Sequence, residues 1–284
     1  MLGRDPYSTA YYGWDPYFGS QMLGFWFSQA YLQYAKGPVT VMGGILPTLI
    51  GYETIYPQDD TNFSRGILDG YAEPGTHLGV RGVYVMSDMW TFIAGVNNGW
   101  DNIRDYSRHK TFELGVNFTP SKIVNIALSS LLAGGQRAVD FTATGPEGTR
   151  NILDIIATLH ATDKLTLVLN GDFAAQSKAI QTNQTFGHAS WSGVVGYANY
   201  QFNDKWRTSL RAEFFDDPEG FRTGVAQCWK EATLTVAYAP IKSLELRAET
   251  RHDISNVNSF VNANRVSTSN DQQSYALEAL YRVL

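Results

Sequence analysis

Alternating apolar and polar residues recur along most of this 284-residue chain, in segments about ten residues long. In one such segment Phe112, Leu114 and Val116 fall on one face, while Glu113 and Asn117 fall on the other. Successive side chains of a β-strand point to opposite faces, whereas a helix repeats every ~3.6 residues. The pattern therefore predicts a chain that is built from β-strands.

Strands and connections follow one another in a regular order. The pattern predicts strands at about residues 26–35, 38–46, 78–87, 89–97, 111–119, 123–133, 151–161, 164–174, 191–202, 205–215, 229–239, 243–252 and 273–283. Short turns with Gly, Pro, Asn, Asp or Ser alternate strictly with long polar connections, at about residues 47–77, 98–110, 134–150, 175–190, 216–228 and 253–272. Outer-membrane barrels combine short periplasmic turns with long extracellular loops in this way, and a soluble sandwich has no reason to do so.

The two faces of the predicted strands differ in charge. One face carries Leu, Val, Ile, Ala and aromatic residues with almost no charge, and the charged residues lie on the other face. An Arg or Lys at the middle of a bilayer costs about 2–4 kcal/mol. Every backbone group in the bilayer must also be hydrogen-bonded, which requires a closed sheet. We therefore expect an all-β, antiparallel up-and-down transmembrane β-barrel.

The number of strands depends on the N-terminal residues. If the N-terminus is periplasmic, an odd number of strands must precede residue 26, and Tyr7–Tyr17 is the candidate. This gives about 14 strands, while 12 strands and a packed N-terminal segment stay open because the pattern there is irregular. Residues 1–25 are thus an irregular segment or the first strand of one barrel domain that spans residues 1–284. The chain does not start with an export signal, and we expect that one was removed.

Charged residues on the polar faces form a ladder of mixed sign. Opposed charges on a pore wall create a transverse field that sets selectivity, but a network of salt bridges could equally fill a narrow barrel. At about 14 strands, a narrow water-filled pore is favoured. The predicted pore-lining residues are Arg81, Glu113, Arg207, Arg211, Glu213, Glu231, Glu245, Arg247, Glu249, Arg251, Glu278 and Arg282.

The longest connection, residues 47–77, is the candidate for a constriction. Long loops of this kind often carry a function, and in barrels they can fold into the interior. We expect this loop to narrow the pore. Its residues that could do so are Tyr52, Tyr56, Asp59, Asp60 and Arg65.

Composition and motifs argue against several other functions. The formal charge of −5 is not that of a nucleic-acid binder. No Gly-x-Ser-x-Gly motif is present, and the five histidines show no spacing typical of a zinc site. We therefore predict no enzyme activity, no catalytic residues, no metal site and no cofactor.

Several longer stretches resemble a known family, the OmpL-like outer-membrane β-barrel porins. These stretches are ILPTLIGYETI (Ile45–Ile55), YAEPGTHLGVRGVY (Tyr71–Tyr84), GVNNGWDN (Gly95–Asn102), LRAEFFDDPEGFRTG (Leu210–Gly224) and EATLTVAYAPIKSLELRAETRHD (Glu231–Asp253). The resemblance covers most of residues 26–284. It implies an exported barrel of the bacterial outer membrane with porin function, and it supplies no catalytic residues.

The function that we expect is passive diffusion of small hydrophilic solutes or ions. The alternative is a non-conducting barrel that scaffolds or houses another envelope protein. The expected partners are outer-membrane lipid and small hydrophilic solutes, with a second copy of the chain or an envelope protein as open alternatives. Conductance of the purified protein in a planar bilayer separates the two functions.

Overall fold

The fold is a β-sheet in which each strand pairs with its neighbours along the chain. A computed structural model describes residues 2–3, 24–25, 28–56, 58–102, 109–137, 146–183, 185–261 and 267–282. The strands are β1 (Leu2–Gly3), β2 (Gly24–Phe25), β3 (Ala30–Lys36), β4 (Val39–Pro47), β5 (Thr76–Val85), β6 (Trp90–Asn97), β7 (Thr111–Ser121), β8 (Val124–Arg137), β9 (Glu147–His160), β10 (Leu165–Ile180), β11 (Phe186–Gln201), β12 (Trp206–Asp217), β13 (Gln227–Ile241), β14 (Leu244–Ser255), β15 (Phe260–Val261), β16 (Ser267–Ser269) and β17 (Asp271–Tyr281).

One antiparallel sheet of thirteen strands contains β3 to β14 followed by β17, while β1–β2 and β15–β16 form two separate short pairs. Leu68–Ala72 forms one π-helical turn. In the described part of the chain, no helix is long and apolar enough to cross a membrane. The up-and-down order follows from the connections, because antiparallel neighbours can be joined by very short turns.

All thirteen predicted strands are confirmed, but several of their ends differ. β10 and β11 extend to Ile180 and back from Phe186, into residues that we predicted as a loop. Beyond the bilayer there is no lipid to enforce an apolar face, so the alternation fades while the backbone ladder continues. Thirteen strands in one sheet exceed the twelve of the alternative prediction. The predicted strand at Tyr7–Tyr17 lies outside the described residues.

Two of the short turns contain a proline and a break in pairing. The register shifts between Phe118 and Ser121 in one hairpin, and between Tyr238 and Ile241 in another. Residue 120 and residue 240 are both proline. Proline has no N–H to donate to the ladder, so it is placed in a bulge beside the turn.

Burial along the strands is the reverse of that in a soluble protein. On β12, the side chains of Leu210 and Phe214 are exposed, while the alternate residues Ser209, Arg211 and Glu213 are buried. The same alternation occurs on β13 and β14. The apolar face thus points outwards and the charged face inwards, as a barrel in lipid requires.

Aromatic side chains mark the end of the sheet that carries the short turns. The rings of Trp90 and Phe118 stack at 4.3 Å, and those of Trp206 and Tyr238 at 4.4 Å. Trp90 and Trp206 belong to the exposed face. Such rings favour the level of the lipid head groups, because they combine an apolar body with a polar edge.

Candidate functional site

The connection between β4 and β5 folds back onto the charged face of the sheet. We name the described residues of this connection, 48–56 and 58–75, the inner segment. The backbone N–H of Tyr52 donates to Asn170 Oδ1 on β10 at 3.0 Å. The backbone N–H of Phe63 donates to Glu249 Oε2 on β14, also at 3.0 Å. The inner segment therefore crosses the inner face from β10 to β14.

The later part of the inner segment is held by both polar and apolar contacts. The Leu68 N–H donates to Glu213 Oε2 at 3.0 Å, and Trp191 Nε1 donates to the Ala72 carbonyl at 3.0 Å. Apolar side chains of the segment pack against apolar positions on the inner face of β8 to β12, which occupy part of the interior. This cluster includes Ile50, Ile67, Leu68, Ala72, Trp100, Leu131, Ile152, Trp191 and Phe215.

Arg211 on β12 is the centre of the charged contacts. Its Nη1 atom donates to Glu53 Oε1 at 2.6 Å and to the Ser64 carbonyl at 2.7 Å, both on the inner segment. Its Nε atom lies 2.9 Å from an oxygen of Glu231 and 2.9 Å from an oxygen of Glu213. One guanidinium thus joins the segment to two carboxylates of the wall.

Further contacts fix the middle of the inner segment. Asn62 Nδ2 donates to Thr235 Oγ1 at 2.6 Å, and Ser209 Oγ donates to Asn62 Oδ1 at 2.9 Å. Arg251 Nη1 donates to the carbonyl of Arg65. Side chains of β12, β13 and β14 therefore hold this part of the segment by its amide and carbonyl groups.

A second row of alternating charge lies nearer the short turns. Glu245 Oε1 accepts from Arg207 Nη2 at 2.6 Å and from Arg247 Nε at 2.5 Å. Arg247 Nη1 is 3.3 Å from Glu278 Oε2 on β17. Glu245 and Glu278 keep 26% and 23% of their side-chain surface exposed, so water reaches this row.

The remaining residues of the predicted ladder lie apart from these rows. Arg81 and Glu113 form a bidentate pair on β5 and β7, with Nε–Oε1 at 2.6 Å and Nη2–Oε2 at 3.0 Å. The backbone N–H of Arg282 donates to the Ser243 carbonyl just beyond the end of β17. The side chain of Arg282 is exposed.

The predicted constriction residues lie on the inner segment in different surroundings. Arg65 Nη1 pairs with Asp60 Oδ2 at 3.0 Å. The Tyr56 hydroxyl hydrogen-bonds the Ser28 hydroxyl at 2.8 Å. Asp59 is exposed, whereas Asp60 is mostly buried.

Two carboxyl groups of the inner segment have pKa values that their surroundings raise to near neutrality. Burial raises the pKa of Asp60 to about 7, and the Glu53 charge adds to the shift, while the Thr54 N–H and Arg65 oppose it. Burial likewise raises the pKa of Asp69 to about 7, again with Glu53 adding and Arg65 opposing. The Arg65 Nε atom is 3.6 Å from Asp69 Oδ2.

A buried acidic group lies beneath the end of the inner segment. Asp154 and Asp172 are directly opposite each other on β9 and β10, and Glu73 faces them. No N–H group of a described residue donates to either oxygen of Asp172 or to Asp154 Oδ2, and the three carboxyl groups lie close enough to share protons with one another. Burial raises the pKa of Glu73 well above its ordinary value, with the charge of Asp172 adding to the shift.

Sequence reasoning missed several residues of this interior. Asp154 and Asp172 occupy polar-face positions of predicted strands, so the alternation could have identified them. Glu53 and Glu73 carry no such signal, because the inner segment has no period. In the described residues, no group of three or more His, Cys, Asp or Glu side chains could hold a metal ion.

An antiparallel sheet with an apolar outer face, a charged inner face, and short turns that alternate with long connections defines the class of outer-membrane β-barrels. Comparison with protein families then identifies the chain more closely. Residues 3–283 match the family described as "beta-barrel porin-2, OmpL-like", and the chain belongs to this family. The protein is thus a porin of the bacterial outer membrane.

Solved structures with the same fold include other outer-membrane proteins. OmpT of Vibrio cholerae, in its trimer form, has a TM-score of 0.62 at 12% identity, covering 93% of this chain and 82% of its own. The channel DcaP of Acinetobacter baumannii has a TM-score of 0.58 at 11% identity, covering 84% of this chain and 71% of its own. A search of curated proteins finds no sequence match.

Proposed function

We propose that the chain is a passive diffusion channel for small hydrophilic solutes, with the inner segment as its constriction. The observation that carries this proposal is the docking of residues 48–75 across the charged wall, while charged side chains beside it stay hydrated. Arg65 keeps 31% of its side-chain surface exposed, and Glu245 keeps 26%. A pore narrowed by charged, hydrated side chains admits small polar solutes and excludes large ones.

The residues proposed to line the pore are those of the charged ladder. Because Arg211 and Glu213 are buried beneath the inner segment, we assign them to fixing the constriction, while the exposed charges contact the solute. Taken together, the groups that fix the constriction and those that contact the solute make up the proposed lining: Arg81, Glu113, Arg207, Arg211, Glu213, Glu231, Glu245, Arg247, Glu249, Arg251, Glu278 and Arg282. The proposed constriction contains Tyr52, Tyr56, Asp59, Asp60 and Arg65.

The proposal also covers the domain organisation, the catalytic activity and the assembly of the protein. Residues 1–284 act as one barrel domain without catalytic activity. An assembly of several copies is consistent with the trimer form of the structurally similar OmpT. The competing function, a closed scaffold barrel, is favoured by one observation, the apolar cluster that fills part of the interior.

Removal of the constriction tests this function. Deleting residues 56–64 eliminates the Asn62 and Phe63 contacts with the wall, so single-channel conductance in planar bilayers should rise by about twofold or more. A wild-type protein that never conducts would support the scaffold function. A deletion variant with unchanged conductance would show that the inner segment is not the constriction.

A point substitution can perturb the inner segment with less risk to folding than a deletion. Gly51 has a positive φ of 89°, and a Cβ there would collide with the Glu73 carboxylate. Gly51→Ala should therefore loosen the inner segment and raise conductance. Gly70→Ala is the matched control, because a Cβ at Gly70 meets nothing within 4 Å. Equal conductance of the two variants would count against the constriction.

A further inference from the structure

The buried charges of the interior are strongly unequal in number. Among the described residues, ten carboxyl groups are buried but only four arginines. The buried acids are Glu73, Asp101, Glu113, Asp154, Asp172, Glu213, Asp217, Glu231, Glu249 and Asp253, and the buried arginines are Arg81, Arg150, Arg211 and Arg247. Those that lie on the main strands occupy the inner, polar face.

Part of this acidic excess has no counter-charge beside it. Asp172 is fully buried, and no N–H group of a described residue donates to either of its oxygens, while the carboxyl groups of Glu73 and Asp154 lie close enough to share a proton with it. Asp154 lies opposite, with one oxygen satisfied by Asn170 Nδ2 at 2.6 Å and the other unsatisfied. No ion pair within 4.0 Å joins either aspartate to a described Lys or Arg. The wall therefore holds acids that no arginine neutralises. A carboxyl group buried in this way favours its protonated form, so these acids gain negative charge only as the pH rises.

The same imbalance occurs at the constriction. Arg65 is shared between Asp60 at 3.0 Å and Asp69 at 3.6 Å, so two carboxyl groups face one guanidinium. Burial raises the pKa of both acids to about 7. The combined negative charge of Asp60 and Asp69 therefore increases as the pH of the solution rises through about 7.

Other charged groups surround these two acids. From the inner segment, Glu53 and Asp59 act on Asp60, and Glu53 also acts on Asp69. From the wall, Arg211 faces Asp69. The groups packed around Glu53 and Arg211 from β11, β12, β13 and β14 are Tyr197, Glu213, Glu231 and Arg251. Acids outnumber arginines in this surrounding set as well.

We infer that the pore is selective for cations, and that this selectivity strengthens as the pH rises through neutrality. The inference rests on the proposed diffusion function and names its preferred solutes. Fixed negative charge in a low-dielectric wall raises the local concentration of cations and excludes anions. At a narrow constriction, rings of carboxylates select cations in this way.

The test uses reversal potentials of the purified protein in planar bilayers of neutral lipid, with a KCl gradient. At pH 8 we expect a K⁺ to Cl⁻ permeability ratio of about three or more, falling by about twofold at pH 5.5. A ratio at or below one at pH 8, or a ratio that increases at pH 5.5, would overturn the inference. A protein without any conductance would instead refute the diffusion function.

Three variants separate the inner charges from the overall charge of the protein. The double variant Asp60→Asn with Asp69→Asn should lower the permeability ratio by about twofold at pH 8 and remove its pH dependence. Arg65→Gln should change the ratio in the opposite direction, because it removes the cation between these acids. The matched control is Asp163→Asn with Asp204→Asn, which removes two exposed charges at short turns and should leave the ratio unchanged.

An equal loss of selectivity in the test and control pairs would contradict the assignment to the constriction. Conductance of each variant shows that it has folded and inserted, so a changed ratio cannot be attributed to a misfolded barrel.

Discussion

Arg211 shows how single residues stabilise this interior. Its side chain is fully buried among carboxylates of Glu53, Glu213 and Glu231, which come from three different elements. Burying such charges is costly, and the cost is offset only while every partner is present. The guanidinium is suited to this position because its five donors lie in a fixed planar fork.

Removing this guanidinium should be far more costly than removing an exposed one. Arg211→Ala leaves three carboxylates without their shared cation, and we expect a loss of about 3–5 kcal/mol in the free energy of unfolding. The measurement is urea unfolding in lipid vesicles, followed by the gel mobility of unheated samples. Arg207→Ala is the control, since Arg207 is partly exposed and its loss should cost about 1 kcal/mol or less. Equal costs would refute the central role of Arg211.

At the scale of elements, the inner segment differs from the strands that surround it. The strands are held by continuous backbone ladders. The inner segment is held largely by side chains of the wall that accept from its amides, including Glu249 at Phe63 and Glu213 at Leu68. Ordering such a segment costs about 1–2 kcal/mol per residue of backbone entropy. Its docking therefore depends on a small number of contacts and on their charge.

Docking of the inner segment should weaken as the pH rises. The pKa of Asp60 and Asp69 is about 7 in the docked segment, whereas each would ionise near pH 4 in a hydrated segment. The contribution of these acids to docking is therefore fully present below pH 4. It decreases as the pH rises from 4 to about 7, and docking does not weaken further above that pH.

Hydrogen exchange measures this effect directly. After correction for the intrinsic rate, the amides of Phe63 and Leu68 should exchange at least about tenfold faster at pH 7.5 than at pH 5.5. The amide of Val195, on the wall, should show no such change. Substituting Asp60→Asn and Asp69→Asn together should remove the difference. Protection at Phe63 that is independent of pH in the wild type would contradict the prediction.

At the scale of the whole molecule, the distribution of polarity is inverted. Large apolar side chains such as Leu234 and Leu210 lie exposed on the outer face, and buried charges lie within. Exposing this apolar surface to water would be unfavourable, whereas contact with lipid requires an apolar surface of this kind. The aromatic pairs near the short turns place one head-group level at that end of the sheet.

The depth of a substitution on the outer face should determine its cost. Leu234 lies at the centre of β13, whereas Ile241 lies at its short-turn end, and both are exposed. Leu234→Arg should cost about 2–4 kcal/mol and Ile241→Arg about 1 kcal/mol or less, because the charge of the second can reach the interface. Urea unfolding in vesicles of the same lipid compares the two. Similar costs would contradict the placement of the bilayer around the centre of β13.

The sequence alone determined the strands, their faces and the barrel. Polarity at every second residue is local information, and lipid outside with water inside imposes it on each strand separately. The charged residues of β12 to β14 could be assigned to the inner face for the same reason. Only the tertiary structure decided which charges meet. Arg211 contacts Glu53 across 158 residues, and Glu73 faces Asp172, because the sheet curves around the inner segment. A segment without a period gives no signal for its contacts, since these depend on the shape of the interior.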